Sequence, residues 1–274
     1  PIEAWMNEDV LRNGFADEFD FAHLKNKKRT RGKAHRDPCV LYNGMLHSIA
    51  PFTAKGFIFY HGCSNVYRHE QYKRLQPAFV KMLREEWGND KMPFYFTQIT
   101  PYQHEGKDRS EAAYMMWAQA QTLEMIPYSG MATTHDVGDL AAIHPPKKKQ
   151  VGDRLAYLAL ENDYGLDYID AKAPFPIKFE FKEGQVIVTF ATGKMGVSPI
   201  HTDLSGFELA GEDRKFHPAE ARVWGSIVTV WSKDVPKPVA IRYAFHNVPG
   251  AVNLKNLYDV PAIPFRTDRW NDVK

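Results

Sequence analysis

The sequence is short of cysteine, of long apolar runs and of net charge, and each shortage narrows what it can be. Two cysteines among 274 residues, Cys39 and Cys63, permit at most one disulfide, which excludes a cystine-stapled scaffold. No apolar stretch approaches the roughly 20 residues that cross a bilayer. No signal peptide opens the chain, and Pro1 stands where an initiator Met would, so this end reads as processed, trimmed or separated. A formal net charge of +2 argues neither for nor against a polyanionic partner. The one basic run, KNKKRTRGKAHR over residues 25–36, lacks interleaved aromatics and reads as a solvated loop. Neither nucleic acid nor a membrane is an expected partner. Internal repeats and low-complexity tracts are missing as well.

Metal-ligand patterns are also absent. His61 and His69 share one segment and His135 and His144 another, but neither pair has a recognised ligand spacing. A zinc hydrolase is therefore the weakest of the readings considered, and no metal or cofactor is expected.

What remains is an ordinary globular composition, 44% hydrophobic and 25% charged, in a chain long enough for one large domain or two smaller ones. Its 13 tyrosines and 6 tryptophans suit a carbohydrate-facing protein, which is a compositional hint only.

A strand, loop and helix rhythm begins near residue 56. Phe57-Ile58-Phe59-Tyr60 is a continuous apolar run of the kind found in strands covered on both faces. Tyr72, Leu75, Phe79, Met82 and Leu83 then recur at helical spacing, with Pro77 expected to kink or divide the helix. A second strand is predicted over 93–99 and a helix through Ala113, Trp117 and Ala120. A third strand over 130–134 opens into the polar loop His135-Asp136-Val137-Gly138-Asp139, which reaches His144 before another helix. This alternation predicts a mainly parallel sheet whose strands end on one rim. Asn65, the Tyr102 loop and His144 would gather there, where open α/β sheets place their ligand crevice. After about residue 172 the period changes to two, as in an antiparallel sandwich. The predicted organisation is thus 1–171 followed by 172–274.

The turn after the first strand, Gly62-Cys63-Ser64-Asn65-Val66, resembles the strained G-x-S-x-G elbow that exposes a nucleophilic serine. Val66 replaces its last glycine, however, and brings bulk to a tight turn. Asn65 has two readings: a side-chain amide donating to an oxyanion, typically worth about 3 kcal/mol of barrier, or a residue bonding its own turn. His144 likewise suits a general base or a surface histidine.

Several separated blocks then point to one family. Leu41-Tyr42-Asn43-Gly44-Met45, Phe59-Tyr60-His61-Gly62-Cys63-Ser64-Asn65, Ile143-His144-Pro145 with Lys149-Gln150-Val151-Gly152, Gly206-Phe207-Glu208-Leu209-Ala210-Gly211-Glu212-Asp213 and Pro264-Phe265-Arg266-Thr267-Asp268 come in the order and spacing of the sialate O-acetylesterases. The opening Pro1-Ile2-Glu3-Ala4-Trp5-Met6 resembles them too. The resemblance implies an SGNH serine esterase with a flavodoxin-like parallel sheet, incomplete in this chain, followed by an antiparallel β-sandwich. It implies an oxyanion donor at Asn65, a catalytic base at His144 and a turn role for Ser64.

Three departures qualify what it implies. His61 and Cys63 stand where the family has Gln and Glu. Ala141 and Ala142 stand where an acid orienting His144 would lie, which leaves Asp139, then Asp136, or a backbone carbonyl. The family's nucleophile block, G-Q-S-N-M-like, and its G-G-T-like stretch have no counterpart in these residues. The implied partners are an acetylated carbohydrate and an N-terminal segment or second chain carrying the serine. The implied location is secreted, periplasmic or lysosomal. The alternative from another class is a catalytically silent carbohydrate-binding or interaction protein.

Overall fold

The computed structural model describes residues 1–26, 34–139, 141–200 and 202–270. Of the basic run 25–36, residues 27–33 lie outside the described residues.

The chain opens with a short turn of helix at Ile2–Trp5 and α1 (Glu8–Phe15), capped by the Asn7 side chain accepting from the Val10 N–H. Two brief helices, α2 (Ala22–Asn26) and α3 (His47–Ile49), lead to the first strand. Strands β1 (Phe57–Tyr60), β2 (Phe94–Thr97) and β3 (Ser129–Ala132) form a parallel sheet in the order β1-β2-β3. Helices α4 (His69–Trp87), α5 (Glu111–Gln121) and α6 (Lys148–Asn162) alternate with them. The predicted rhythm is present: β1 covers its whole apolar run, while β2 is shorter than the predicted 93–99 and β3 ends two residues before the predicted 134, four rungs of each pair being in register.

Pairing sorts the side chains by face. Phe57, Phe59, Phe94, Phe96 and Met131 pack into one core with Leu75, Phe79, Met82 and Met115 of α4 and α5. Tyr95 and Ala132 face the other way, onto Val151, Leu155 and Leu158 of α6. Helix α4 is continuous through Pro77. Tyr72 and Leu75 before it and Phe79 and Met82 after it are buried in one core. That shared burial offsets a proline cost of roughly 3 kcal/mol or more.

Beyond α6 the strands become antiparallel. β4 (Phe175–Lys182), β5 (Gln185–Ala191), β7 (Leu204–Ala210), β8 (Phe216–Trp224), β9 (Ile227–Trp231), β10 (Ala240–Tyr243) and β12 (Phe265–Arg266) join in the order β12-β10-β7-β8-β9-β5-β4. β6 (Val197–Ser198) and β11 (Lys255–Asn256) make a separate small pair. Alternate residues Val186, Val188 and Phe190 of β5 are buried, as the period of two requires. Phe265 of β12 meets Phe179 of β4 and Phe190 of β5, at 5.5 and 6.0 Å between centroids, so the two ends of the large sheet close over one core. The parallel and antiparallel regions touch directly, with Trp117 stacked on Phe175 at 5.9 Å.

Among the described residues no helix is long and apolar enough to cross a membrane. Cys39 and Cys63 are both free thiols.

Candidate active site

Strand β1 delivers its chain into a tight turn because Gly62 takes φ of 148°, a conformation open to glycine. Space forbids anything larger there, since a Cβ would lie 2.5 Å from Cγ2 of Ile99. The Asn65 N–H closes the turn on the Gly62 carbonyl at 2.8 Å. This turn leaves Ser64 exposed, buries Asn65 completely, and holds Cys63 between those extremes. His61 is stacked between Phe59 and Tyr72, at 5.2 and 5.9 Å, with its Nδ1 buried and without a partner. Burial pulls its imidazole down to about 3, so it is a neutral ring at physiological pH.

The side chain of Asn65 is fixed by residues from the start of the chain. Its Oδ1 accepts from the Ile2 N–H at 3.0 Å, and its Nδ2 donates to Oε2 of Glu3 at 3.0 Å. The other Glu3 oxygen accepts from Arg68 at 2.6 Å. One N–H of the Asn65 amide is left for another acceptor. The Glu3–Asn65–Arg68 network was not foreseen from sequence. The signal for it was a single acid inside the apolar run Ile2-Glu3-Ala4-Trp5.

The loop after β3 carries the predicted base. Thr134 and His135 are buried at its start, where burial pulls His135 down to about 4. Asp136 is gripped by both terminal nitrogens of Arg154, at 2.7 and 2.6 Å. Although burial opposes its charge, those hydrogen bonds outweigh it and hold the carboxyl below its ordinary value. Gly138 lies so near the loop after β2 that a Cβ there would sit 2.7 Å from the Pro101 carbonyl. Asp139 accepts from the Ala141 N–H at 2.8 Å, which is turn chemistry. Among the described residues it makes no hydrogen bond to His144, nor does Asp136. His144 itself is exposed. Four residues on, Lys148 stands 4.6 Å above the Tyr60 ring, and its charge reaches Cys63. The His144 loop and the Asn65 turn therefore leave the two outer strands of the parallel sheet at the same rim, with the start of α6 over the end of β1.

Beside this rim lies a cleft of about 1120 Å³ between the loops after β1 and β2 and the antiparallel region. His69 is stacked on Tyr114 at 4.9 Å along one wall. Across from them the Arg214 guanidinium lies 5.5 Å from the Trp270 ring centroid, with Arg269 alongside. Burial lowers the His69 imidazole, whereas the hydrogen bond from His246 to Glu208 at 2.8 Å raises that of His246.

The rim is braced from the antiparallel side. The buried Asn247 side chain accepts from the Ala112 N–H at 2.7 Å and donates to the Gly106 carbonyl at 2.9 Å and to Glu111 at 2.8 Å. Asp268 is held by Arg242, at 2.9 and 3.0 Å, and by Arg266. Among the described residues no cluster of His, Cys, Asp or Glu could hold a metal ion.

No family model matches the sequence. Sialate O-acetylesterase of Mus musculus is 25% identical over 252 residues, covering 82% of this chain and 46% of the mouse protein. The Homo sapiens sialate O-acetylesterase is 27% identical over 158 residues, covering 52% of this chain and 30% of that protein. The crystal structure of a novel carbohydrate acetylesterase from Xanthomonas citri superposes with a TM-score of 0.86 at 32% identity. It covers 98% of this chain, which spans 59% of that one. The chain thus spans less than half the length of these curated relatives.

Proposed function

We propose that this chain, similar to sialate O-acetylesterases and to a carbohydrate acetylesterase, forms the Asn65- and His144-bearing part of a carbohydrate O-acetylesterase. The observation that supports this best is Asn65. It is an amide buried at the end of a parallel strand and clamped by Ile2 and Glu3, with one N–H to spare, on the rim that also carries an exposed histidine.

In this reading a serine from outside these 274 residues attacks the acetyl carbonyl carbon while His144 takes its hydroxyl proton. The carbonyl π electrons move to oxygen, and the free N–H of Asn65 donates to that oxyanion, a contribution of about 3 kcal/mol. Collapse of the intermediate breaks the ester C–O bond, and the protonated His144 returns the proton to the leaving sugar oxygen. Water, deprotonated by His144, then releases acetate and restores the serine. Ser64 takes no part, and Asp139, whose Oδ1 is engaged by the Ala141 N–H, would orient His144 through its other oxygen. The sugar lies toward the aromatic and arginine-lined cleft, whose lining includes Trp270, an indole of the kind that pyranose rings pack against. The protein would work outside the cytoplasm, as the family resemblance implies.

The test is hydrolysis of an aryl acetate by this chain assembled with the serine-bearing polypeptide, compared with its His144→Ala variant. Loss of turnover in the variant supports the esterase. Sugar binding without turnover by the intact assembly would sink it in favour of a silent binder.

A further inference from the structure

The His246 ring stands between two groups that can only accept. Its Nε2 lies 2.8 Å from Oε2 of Glu208 on β7, and its Nδ1 lies 3.1 Å from the carbonyl oxygen of Asp108, in the loop after β2. An ionised carboxylate and a main-chain carbonyl have no hydrogen to give. Neutral imidazole carries one N–H, so it serves one of the two and turns a lone pair on the other. The imidazolium carries two and serves both. The geometry therefore selects the charged ring.

The contact matters because of what it holds. The Val248 N–H donates to the Lys107 carbonyl at 3.0 Å, and the Asn247 N–H donates to that of Arg109. The Asp108 carbonyl between them has no donor among the described residues except His246. Asp108, Arg109 and His246 all line the cleft beside the rim. The charges around the ring favour its proton. Glu208 faces it from β7, and that hydrogen bond is the largest cause raising the imidazole above its ordinary value. Arg242, opposite Glu208 on β10, works against it, but its guanidinium is engaged by Asp268 at 2.9 and 3.0 Å. In the loop, the Asp108 carboxylate turns to Lys107 at 2.7 Å, and Arg109 pairs with Glu105 and Glu111. His69, Arg214 and Arg269 share the cleft.

We infer that His246 is a positioning residue for the cleft, a proton-operated clasp that joins the loop after β2 to β7 when both ring nitrogens are protonated and releases the Asp108 carbonyl when Nδ1 loses its proton. The negative charge of Glu208 keeps the proton on Nε2, so the one that leaves is the one facing Asp108. With the folded-state value raised, the clasp's stabilisation is fully present below about pH 6.5 and is lost as pH rises through that higher value. The clasp stands on this geometry alone; its effect on glycan binding rests on the esterase reading.

The test follows the ring nitrogens of His246 by NMR in the 274-residue chain as pH is raised. A midpoint above about 6.5 is expected, and Glu208→Gln should bring it down. The Arg109 amide shares its peptide plane with the Asp108 carbonyl. Its protection from exchange should fall about fivefold through the same midpoint, the scale of one hydrogen bond. His246→Gln, whose side chain does not titrate, should abolish that fall. In the esterase assembled with its serine-bearing polypeptide, KM for an acetylated oligosaccharide should rise about fivefold over the same interval, and His246→Gln should abolish the rise. A midpoint at or below about 6.5, or a fall in Arg109 protection that His246→Gln repeats, would overturn the clasp. An opening clasp with a level KM would overturn its role in the cleft. Hydrolysis absent at every pH would overturn the esterase reading and leave the clasp standing.

Discussion

Asn65 and Glu3 are joined by a buried hydrogen bond of 3.0 Å between residues 62 positions apart. Asn65→Ala strands both the Ile2 N–H and one Glu3 oxygen without a partner. The expected cost is about 1–3 kcal/mol in urea unfolding, together with a fall of about 10²–10³ in kcat of the assembled enzyme. Glu3→Gln keeps a hydrogen-bonding group there and should cost less stability than Asn65→Ala. A stable Asn65→Ala protein of unchanged kcat would remove Asn65 from the mechanism.

His144 and its neighbouring acids should separate cleanly by readout. His144 is exposed, so His144→Ala is expected to leave the melting temperature within a degree or two of the parent, as surface substitutions do, while abolishing hydrolysis. Asp136→Ala should instead cost stability, because the buried Arg154 guanidinium loses its partner. About 1–3 kcal/mol is expected, below the figure for a fully buried pair since Asp136 is about one-third open to water. Asp139→Ala removes one turn hydrogen bond and should be near neutral for folding. If it also lowers kcat, Asp139 orients His144 during catalysis.

Acid should weaken the fold earlier than its carboxylates alone would dictate. His61 and His135 are held neutral by burial, down to about 3 and about 4. In the unfolded chain both bind a proton from about pH 6.5 downward. Between there and about pH 4 the unfolded state binds more protons than the folded one, so stability falls as pH falls. Asp136, held low by Arg154, adds its own loss only below about pH 4, as its folded-state pKa is approached. Urea midpoints measured from pH 7 to pH 4 should therefore decline, and a His135→Gln variant should decline less steeply.

Gly62→Ala is expected to destabilise the protein by about 1–3 kcal/mol, through overpacking against Ile99 and an unfavourable φ. The same variant should lower kcat, because the turn that sets Asn65 begins at this residue. Normal stability and turnover in Gly62→Ala would show that the turn tolerates a side chain.

On the proposed reading, sugar recognition in the cleft and chemistry at the rim should separate by readout. Trp270→Ala should raise KM for an acetylated oligosaccharide about tenfold, the scale of one lost stacking contact, and leave kcat for a small aryl acetate unchanged. Equal KM for the oligosaccharide in both proteins would show that glycans bind elsewhere.

Much of the scaffold was readable from local pattern. Phe57 to Tyr60 and Phe94 to Thr97 are apolar runs of strand length, and both are strands of one parallel sheet. Val186, Val188 and Phe190 announce a period of two and are buried accordingly. Pro77 does not divide its helix, because a proline's cost is local whereas the packing that outweighs it comes from the whole core around α4. The surroundings of Asn65 were legible only in part. Its placement at a strand end follows from spacing, but its clamp comes from Ile2 and Glu3, and no periodicity signals a contact of that sequence separation. The cleft was invisible for the same reason. Val66, Glu111, Arg214 and Trp270 come from four distant segments, and none stands in a pattern that names its neighbour.

Asn247 gives the scaffold a further property. One buried amide from the antiparallel region templates the backbone of 106–112, more than 130 positions earlier in the chain. Trimming the protein to its parallel strands would leave that segment without its mould. The later strands are thus part of the tooling that shapes the crevice, and because the groups held at Ala112 and Gly106 are main-chain atoms, no change of side chain there can make good the loss of Asn247.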